Sequence, residues 1–125
     1  MKNFVLVFLG SGIGGTLRYM LHLFLPNFYT GKFPIATFSA NILACLILGT
    51  TVGFIEAKSD DSPALKLFLI MGICGGFSTF SSLSYEMIRL NQEGEIASAL
   101  GYFVSSFLIS VLVIYAGFFL GNKLA

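Results

Sequence analysis

Of the 125 residues, 56% are hydrophobic and only 10% are charged, with a formal net charge of +1. That composition belongs to membrane proteins, and a charge so close to zero offers no basic face to neutralise phosphates, which excludes nucleic acid as a partner. Four long apolar segments, at about residues 4–25, 35–55, 64–90 and 96–120, use nearly the whole chain. The expected fold is therefore an all-α integral membrane protein with a single transmembrane domain, and no soluble catalytic unit fits beside it.

The first segment opens on Lys2 and Asn3 and continues past Arg18 with no small-residue cleavage site, so it reads as a membrane helix rather than a cleaved signal peptide. Its glycine run, residues 10–15, follows no strand and lies at membrane depth. The pair Gly10 and Gly14 reads as a helix-packing notch, not as a phosphate-binding loop. Arg18 either snorkels to the interface or lines the vestibule of an anion pathway. His22, with no partner carboxylate or second histidine, reads as an interfacial side chain.

Pro26, Gly31 and Pro34 punctuate a short loop carrying Lys32, and the second segment then runs uncharged to Ile55. Its one strongly polar residue is Asn41, and Thr37 shares its helical face. Such an asparagine either joins two helices by a hydrogen bond or offers its amide N–H to an anion. Gly49 and Gly53 repeat the packing notch. The charged stretch EAKSDDSPALK reads as a solvated connection in which Asp60 and Asp61 alone make a poor metal site, and Ser62-Pro63 suits a helix start. Cys45 and Cys74, both in apolar segments, read as free thiols acting as small hydrophobes.

The stretch GICGGFSTFSSLSY, residues 72–85, is built to interrupt a helix. Gly72, Gly75 and Gly76 weaken helical preference, and Ser78, Thr79, Ser81, Ser82 and Ser84 compete for backbone hydrogen bonds. Apolar flanks put the interruption at membrane depth, where freed peptide groups are tolerated only under cover of protein or a water-filled cavity. A break of that kind marks an ion or substrate site. Beyond it the helix resumes with Phe80 and Leu83 on one face, and Glu86 is placed to pair with Arg89 near the membrane edge.

After the turn NQEGE the fourth segment is uncharged through Leu120. Tyr102, Ser106 and Ser110 recur every four residues, a hydroxyl stripe read as a pore track rather than as serines bonded back to their own helix. Gly117 and Gly121 give a further notch, matching Gly72 and Gly76. With four spans, Lys2, Lys58, Lys66 and Lys123 lie on one side and Arg18, Lys32 and Arg89 on the other, so positive charge chooses no orientation. The chain then suits insertion both ways, with two opposed copies forming the inverted repeat that larger transporters carry in one polypeptide.

These residues together resemble the small fluoride channel family, the camphor-resistance proteins. The likeness covers nearly the full length: GGTLRY at residues 14–19, the Asn41 helix, GGFSTFS at 75–81 followed by SYE ending at Glu86, and the stripe of Tyr102, Ser106 and Ser110. It implies four membrane helices with a broken third, and an antiparallel dual-topology homodimer in the cell (inner) membrane that passively exports fluoride and relieves its toxicity. It further implies a structural Na+ at the dimer interface on the backbone carbonyls of Gly75 and Ser78, and pores lined by Asn41, Phe80, Tyr102, Ser106 and Ser110, with Thr37 nearby and Arg18 at a vestibule. Leu83 departs from the family pattern, which places a second phenylalanine there. The edge-positive ring is lost at that position, and a hetero-dimer with a related subunit becomes the alternative to the homodimer.

A small multidrug exporter of four helices and dual topology would need a carboxylate in its first helix, and no Asp or Glu occurs from Met1 to Ile55. A non-transporting assembly subunit would explain the glycine notches but not the hydroxyl stripe. An enzyme is excluded on similar grounds, since no nucleophile has a base beside it.

Overall fold

The computed structural model describes residues 1–59 and 62–125, so the acid pair Asp60 and Asp61 lies outside the described residues. Helix α1 (Lys2–Phe24) runs into a short 3-10 turn, Leu25–Asn27, that accommodates Pro26. Helix α2 (Ile35–Lys58) stops at Ser59, whose left-handed backbone (φ 50°) turns its N–H onto the Glu56 and Ile55 carbonyls. The third span, Pro63–Gln92, comes in two pieces, α3 (residues 63–77) and α4 (Phe80–Gln92). Pro63 takes the first helical position, where its missing N–H costs no intrahelical bond. Gly94 at φ 81° closes α4, with the Glu95 N–H on the Leu90 carbonyl at 2.9 Å, and α5 (Ile96–Leu124) follows. The four spans hold 26, 24, 30 and 29 residues and are all apolar enough to cross a membrane, for which about 20 residues suffice.

The interruption is narrower than the glycine-rich stretch suggested. Only Ser78 and Thr79 are extended, and Gly72, Gly75 and Gly76 are helical. From Lys66 to Cys74 the helix is wound in π fashion, the Gly75 N–H still reaching the Ile70 carbonyl five residues back.

Most of the glycines serve close packing instead. A Cβ on Gly10 would stand 2.8 Å from the Gly72 Cα, and one on Gly76 would stand 2.9 Å from the Ser11 Cα, so α1 and α3 meet backbone to backbone. On the other pair, Gly49 and Gly53 of α2 lie on the backbone of Ile114 and Phe118, while Gly117 and Gly121 of α5 lie on Leu46 and Thr50. Each contact is a notch seated in a reciprocal notch, the arrangement that brings helices together where lipid gives no hydrophobic drive.

Two apolar clusters sit on either side of the break. Ala40, Ala44, Cys74 and Phe77 form one, and Leu83, Leu90, Ala99 and Tyr102 form the other, with Phe33 packed edge-on against Tyr102. Outward faces carry large apolar side chains such as Phe4, Phe8, Leu112 and Phe119, an exterior suited to hydrocarbon. At one end the Lys32 Nζ meets Glu95 Oε1 at 2.6 Å, tying the first loop to the start of α5. The hydrogen bond from Lys32 holds the Glu95 carboxyl below the usual carboxylate range, and the same bond raises the ammonium.

Gly53→Val drives a branched side chain into the Phe118 backbone, and a loss of about 1–3 kcal/mol is expected in detergent unfolding followed by circular dichroism. Gly101→Ala, with no atom within 4 Å of the new Cβ, is expected to leave stability unchanged or raise it by up to about 1 kcal/mol.

Candidate functional site

A side chain from another helix ends α3. Asn41 of α2 presents its amide edge to Thr79, accepting from the Thr79 N–H at 2.7 Å and donating through Nδ2 to the Thr79 carbonyl at 3.3 Å. Ser78 turns back on its own helix, its N–H and hydroxyl both donating to the Cys74 carbonyl at 2.9 and 2.8 Å. Thr79 Oγ1 then caps α4 by accepting from the Ser82 N–H at 3.2 Å.

The break frees carbonyls at the end of α3, two of them through these substitutions. In an unbroken α-helix the Thr79 N–H would serve the Gly75 carbonyl, and the Ser82 N–H the Ser78 carbonyl. Asn41 and Thr79 take those donors, so both peptide oxygens lose their helical partners. Gly75 is exposed, with open space where a Cβ would stand. Hard oxygen donors freed in this way fit a small cation that needs no side-chain ligand.

Beside the break lies a cleft of about 260 Å³. Asn41 and Cys45 line it from α2, Ser78, Thr79, Phe80 and Leu83 from the break and α4, and Phe103, Ser106, Phe107 and Ser110 from α5. The fold thus gathers Asn41, Phe80, Leu83, Ser106 and Ser110 on one cavity. The Phe80 ring stands 73% exposed on the open side, whereas Leu83 is buried. Cys45 and Cys74 are both free thiols.

Ser106 is the distinctive group. It is 4% exposed, and among the described residues its buried Oγ has no hydrogen-bond partner. Ser78, Ser84 and Ser105 instead donate to carbonyls of their own helices. A buried polar atom left unpaired costs about 1–3 kcal/mol, so this hydroxyl is a donor the fold itself does not use.

Tyr102 and Thr37 do not line this cleft. Both are fully buried and both donate to Glu86, Tyr102 to Oε2 at 2.8 Å and Thr37 to Oε1 at 2.7 Å. The expected Glu86 pair with Arg89 is therefore corrected: Arg89 lies 3.7 Å from Glu93, and Glu86 turns inward to the two hydroxyls. His22, read from sequence as standing alone, has Nε2 at 3.3 Å from Thr37 Oγ1 and Nδ1 at 2.9 Å from the Arg18 carbonyl. Arg18 is half-buried on α1 and is not among the groups lining the cleft. Sequence reasoning missed Glu86 as the hub of this cluster because its partners lie 49 and 16 positions away. The signal that was there is register: Thr37 is one turn from Asn41, and Tyr102 one turn from Ser106.

The family model described as CrcB-like protein, Camphor Resistance (CrcB), matches residues 5–118. The chain is 38% identical, over 99% of its length and 100% of the relative's, to a protein of Flavobacterium psychrophilum named fluoride-specific ion channel FluC. Proteins of the same name from Pyrococcus horikoshii and Phocaeicola vulgatus are 37% and 36% identical, each over 98% of this chain and over 98% and 100% of their own.

Asn41→Ala strands both peptide groups of Thr79, and a loss of about 1–3 kcal/mol for each group left unpaired is expected in the same unfolding measurement. Ser106→Ala, which removes a hydroxyl that bonds nothing, is expected to unfold at the same denaturant concentration as the parent or a higher one.

Proposed function

The chain belongs to the CrcB-like camphor-resistance family, and from that premise we propose that it is a fluoride channel of the cell membrane, conducting through the cleft beside the broken third span. The observation that carries this reading is the buried, unpartnered Ser106 hydroxyl on the cleft wall. Fluoride is small and strongly hydrated, so a path for it must replace water with fixed donors. Ser106 and Ser110 offer hydroxyls, and the Asn41 amide keeps a second N–H beyond the one given to Thr79. The Phe80 ring edge carries positive charge and can face an anion without gripping it. Among the described residues no Asp, Glu, Lys, Arg or His lines the cleft, so an anion meets several weak sites rather than one strong trap, the condition for conduction. That lining suits passive flow and gives catalysis nothing to work with.

The functional unit in this reading is an antiparallel homodimer. One copy leaves the Phe80 side of the cleft open and supplies only the carbonyls of Gly75 and Ser78. A second, oppositely oriented copy would cover the cleft and bring its own pair of carbonyls. The near balance of Lys and Arg between the two sides permits both orientations. Gly75 and Ser78 of both copies would hold Na+, which when bound supplies a fixed positive charge between the two pores. Thr37 and Tyr102 position the carboxylate at the far end of the hydroxyl stripe, and Arg18 attracts anions at a vestibule.

Purified chain in liposomes is expected to release fluoride and not chloride. Ser106→Ala should cut that flux about tenfold, the worth of one hydrogen bond to a charge, while leaving the fold intact. Equal passage of chloride would refute the reading. Absence of any flux from the chain alone would refute the homodimer and direct attention to a related second subunit, since Leu83 stands where the family pattern has a ring.

A further inference from the structure

Counting hydrogens in the cluster around Glu86 leads beyond a fluoride path. The His22 Nδ1 lies 2.9 Å from the Arg18 carbonyl, which can only accept, so Nδ1 carries a hydrogen. A neutral ring then turns a bare lone pair at Nε2 toward Thr37 Oγ1, 3.3 Å away. Thr37 has a single hydroxyl hydrogen, and Glu86 Oε1 stands 2.7 Å from the same oxygen. With His22 neutral and Glu86 ionised, the one Thr37 hydrogen faces two acceptors, and the longer contact, to the exposed His22 ring, is the one left lone pair against lone pair or given over to solvent.

One added proton removes the conflict in either of two ways. Placed on Nε2, it makes an imidazolium that donates to Thr37, which donates to the carboxylate. Placed on Glu86 Oε1, it makes an acid that donates to Thr37, which donates to Nε2. The two assignments differ only by Thr37 taking a proton on one side while giving one up on the other. Tyr102, donating to Oε2 at 2.8 Å, is compatible with both.

We infer that His22, Thr37 and Glu86 form a site for one exchangeable proton at the Tyr102 end of the hydroxyl stripe, and that its occupancy controls how readily an anion passes. With the proton bound, the His22–Glu86 pair is neutral overall, and without it the pair carries a net negative charge. Tyr102 and Ser106 are four residues apart on α5, about 6 Å along the axis, so that charge sits beside the path and repels fluoride. This inference rests on the channel reading above.

Other charged and titratable groups stand around the pair. Arg18 lies on the same helix as His22, Glu86 and Arg89 face this end from α4, and Tyr102 from α5. From α2 comes Thr37, with Glu56 and Lys58 at that helix's opposite end, and from α3 the Cys74 thiol lies in the apolar cluster that Leu21 joins. Arg89 is beside Glu93 at 3.7 Å and Lys32 is bound to Glu95 at 2.6 Å. Imidazole is the side chain that ordinarily changes charge near neutrality.

The test is fluoride release from liposomes of the full chain at a fixed gradient between roughly pH 5 and 8, with protein-free liposomes subtracted for leakage of hydrogen fluoride. Flux is expected to rise about tenfold toward acid, the scale of one unit charge a turn or two from the path. His22→Gln should hold flux at the alkaline level throughout, and His22→Lys at the acidic level. A flat profile for the parent chain, or a slope that survives His22→Gln, overturns the proposal. Because the chain has one histidine, isotope-labelled histidine gives an NMR signal from His22 alone in micelles. Its protonation curve is expected to differ between the parent and Glu86→Gln, and superimposable curves overturn the shared proton. A parent chain that passes no fluoride at any pH overturns the channel reading and the conduction half of this inference together, while the NMR comparison decides the proton site separately.

Discussion

The amide of Asn41 laid against the peptide of Thr79 is the interaction on which the rest depends. It supplies an acceptor at 2.7 Å and a donor at 3.3 Å, the two partners that a helix would otherwise have provided. In hydrocarbon an unserved peptide group costs several kcal/mol, so a two-residue interruption needs a partner of this kind to exist at all. Once Thr79 is held, its hydroxyl is free to cap α4, and α4 sets out in a direction that carries Phe80 and Leu83 to the cleft. The released carbonyls of Gly75 and Ser78 are the other consequence of the same clamp.

Packing on both sides keeps that clamp in register. The α1 to α3 contact through Gly10 and Gly72, and the α2 to α5 contact through Gly53 and Gly121, tolerate no added carbon without moving backbone. Small-residue notches are stiff for that reason, and they fix the height of Asn41 relative to Thr79 from one side and of Ser106 relative to both from the other. The apolar clusters above and below the break then exclude lipid from the polar layer between them.

Along α5 that polar layer changes character within one helical turn. Ser106 has a hydroxyl with nothing to bond, whereas Tyr102 has given its own to Glu86. The first is a donor the fold leaves unused and the second is committed to a carboxylate. A carboxylate beside a halide path opposes the halide on charge alone. It is tolerable here because two hydroxyls solvate it and a histidine stands behind one of them.

Much of this was legible in the order of residues. Four apolar runs long enough to span a bilayer, glycine pairs four apart, the hydroxyl stripe on one face of the last helix and the register of Thr37 with Asn41 are all local periodicities, and local periodicity depends only on helical geometry. What the tertiary structure alone decided is which polar group meets which. Gly72 and Gly76 were expected to break the helix and instead let another helix approach, because helical preference is weak beside the gain from close packing. Glu86 was expected to bond its neighbour on the same helix and instead bonds residues on two others. A half-buried carboxylate takes whatever partners its depth offers, and depth is set by how helices pack, which no spacing along one chain encodes.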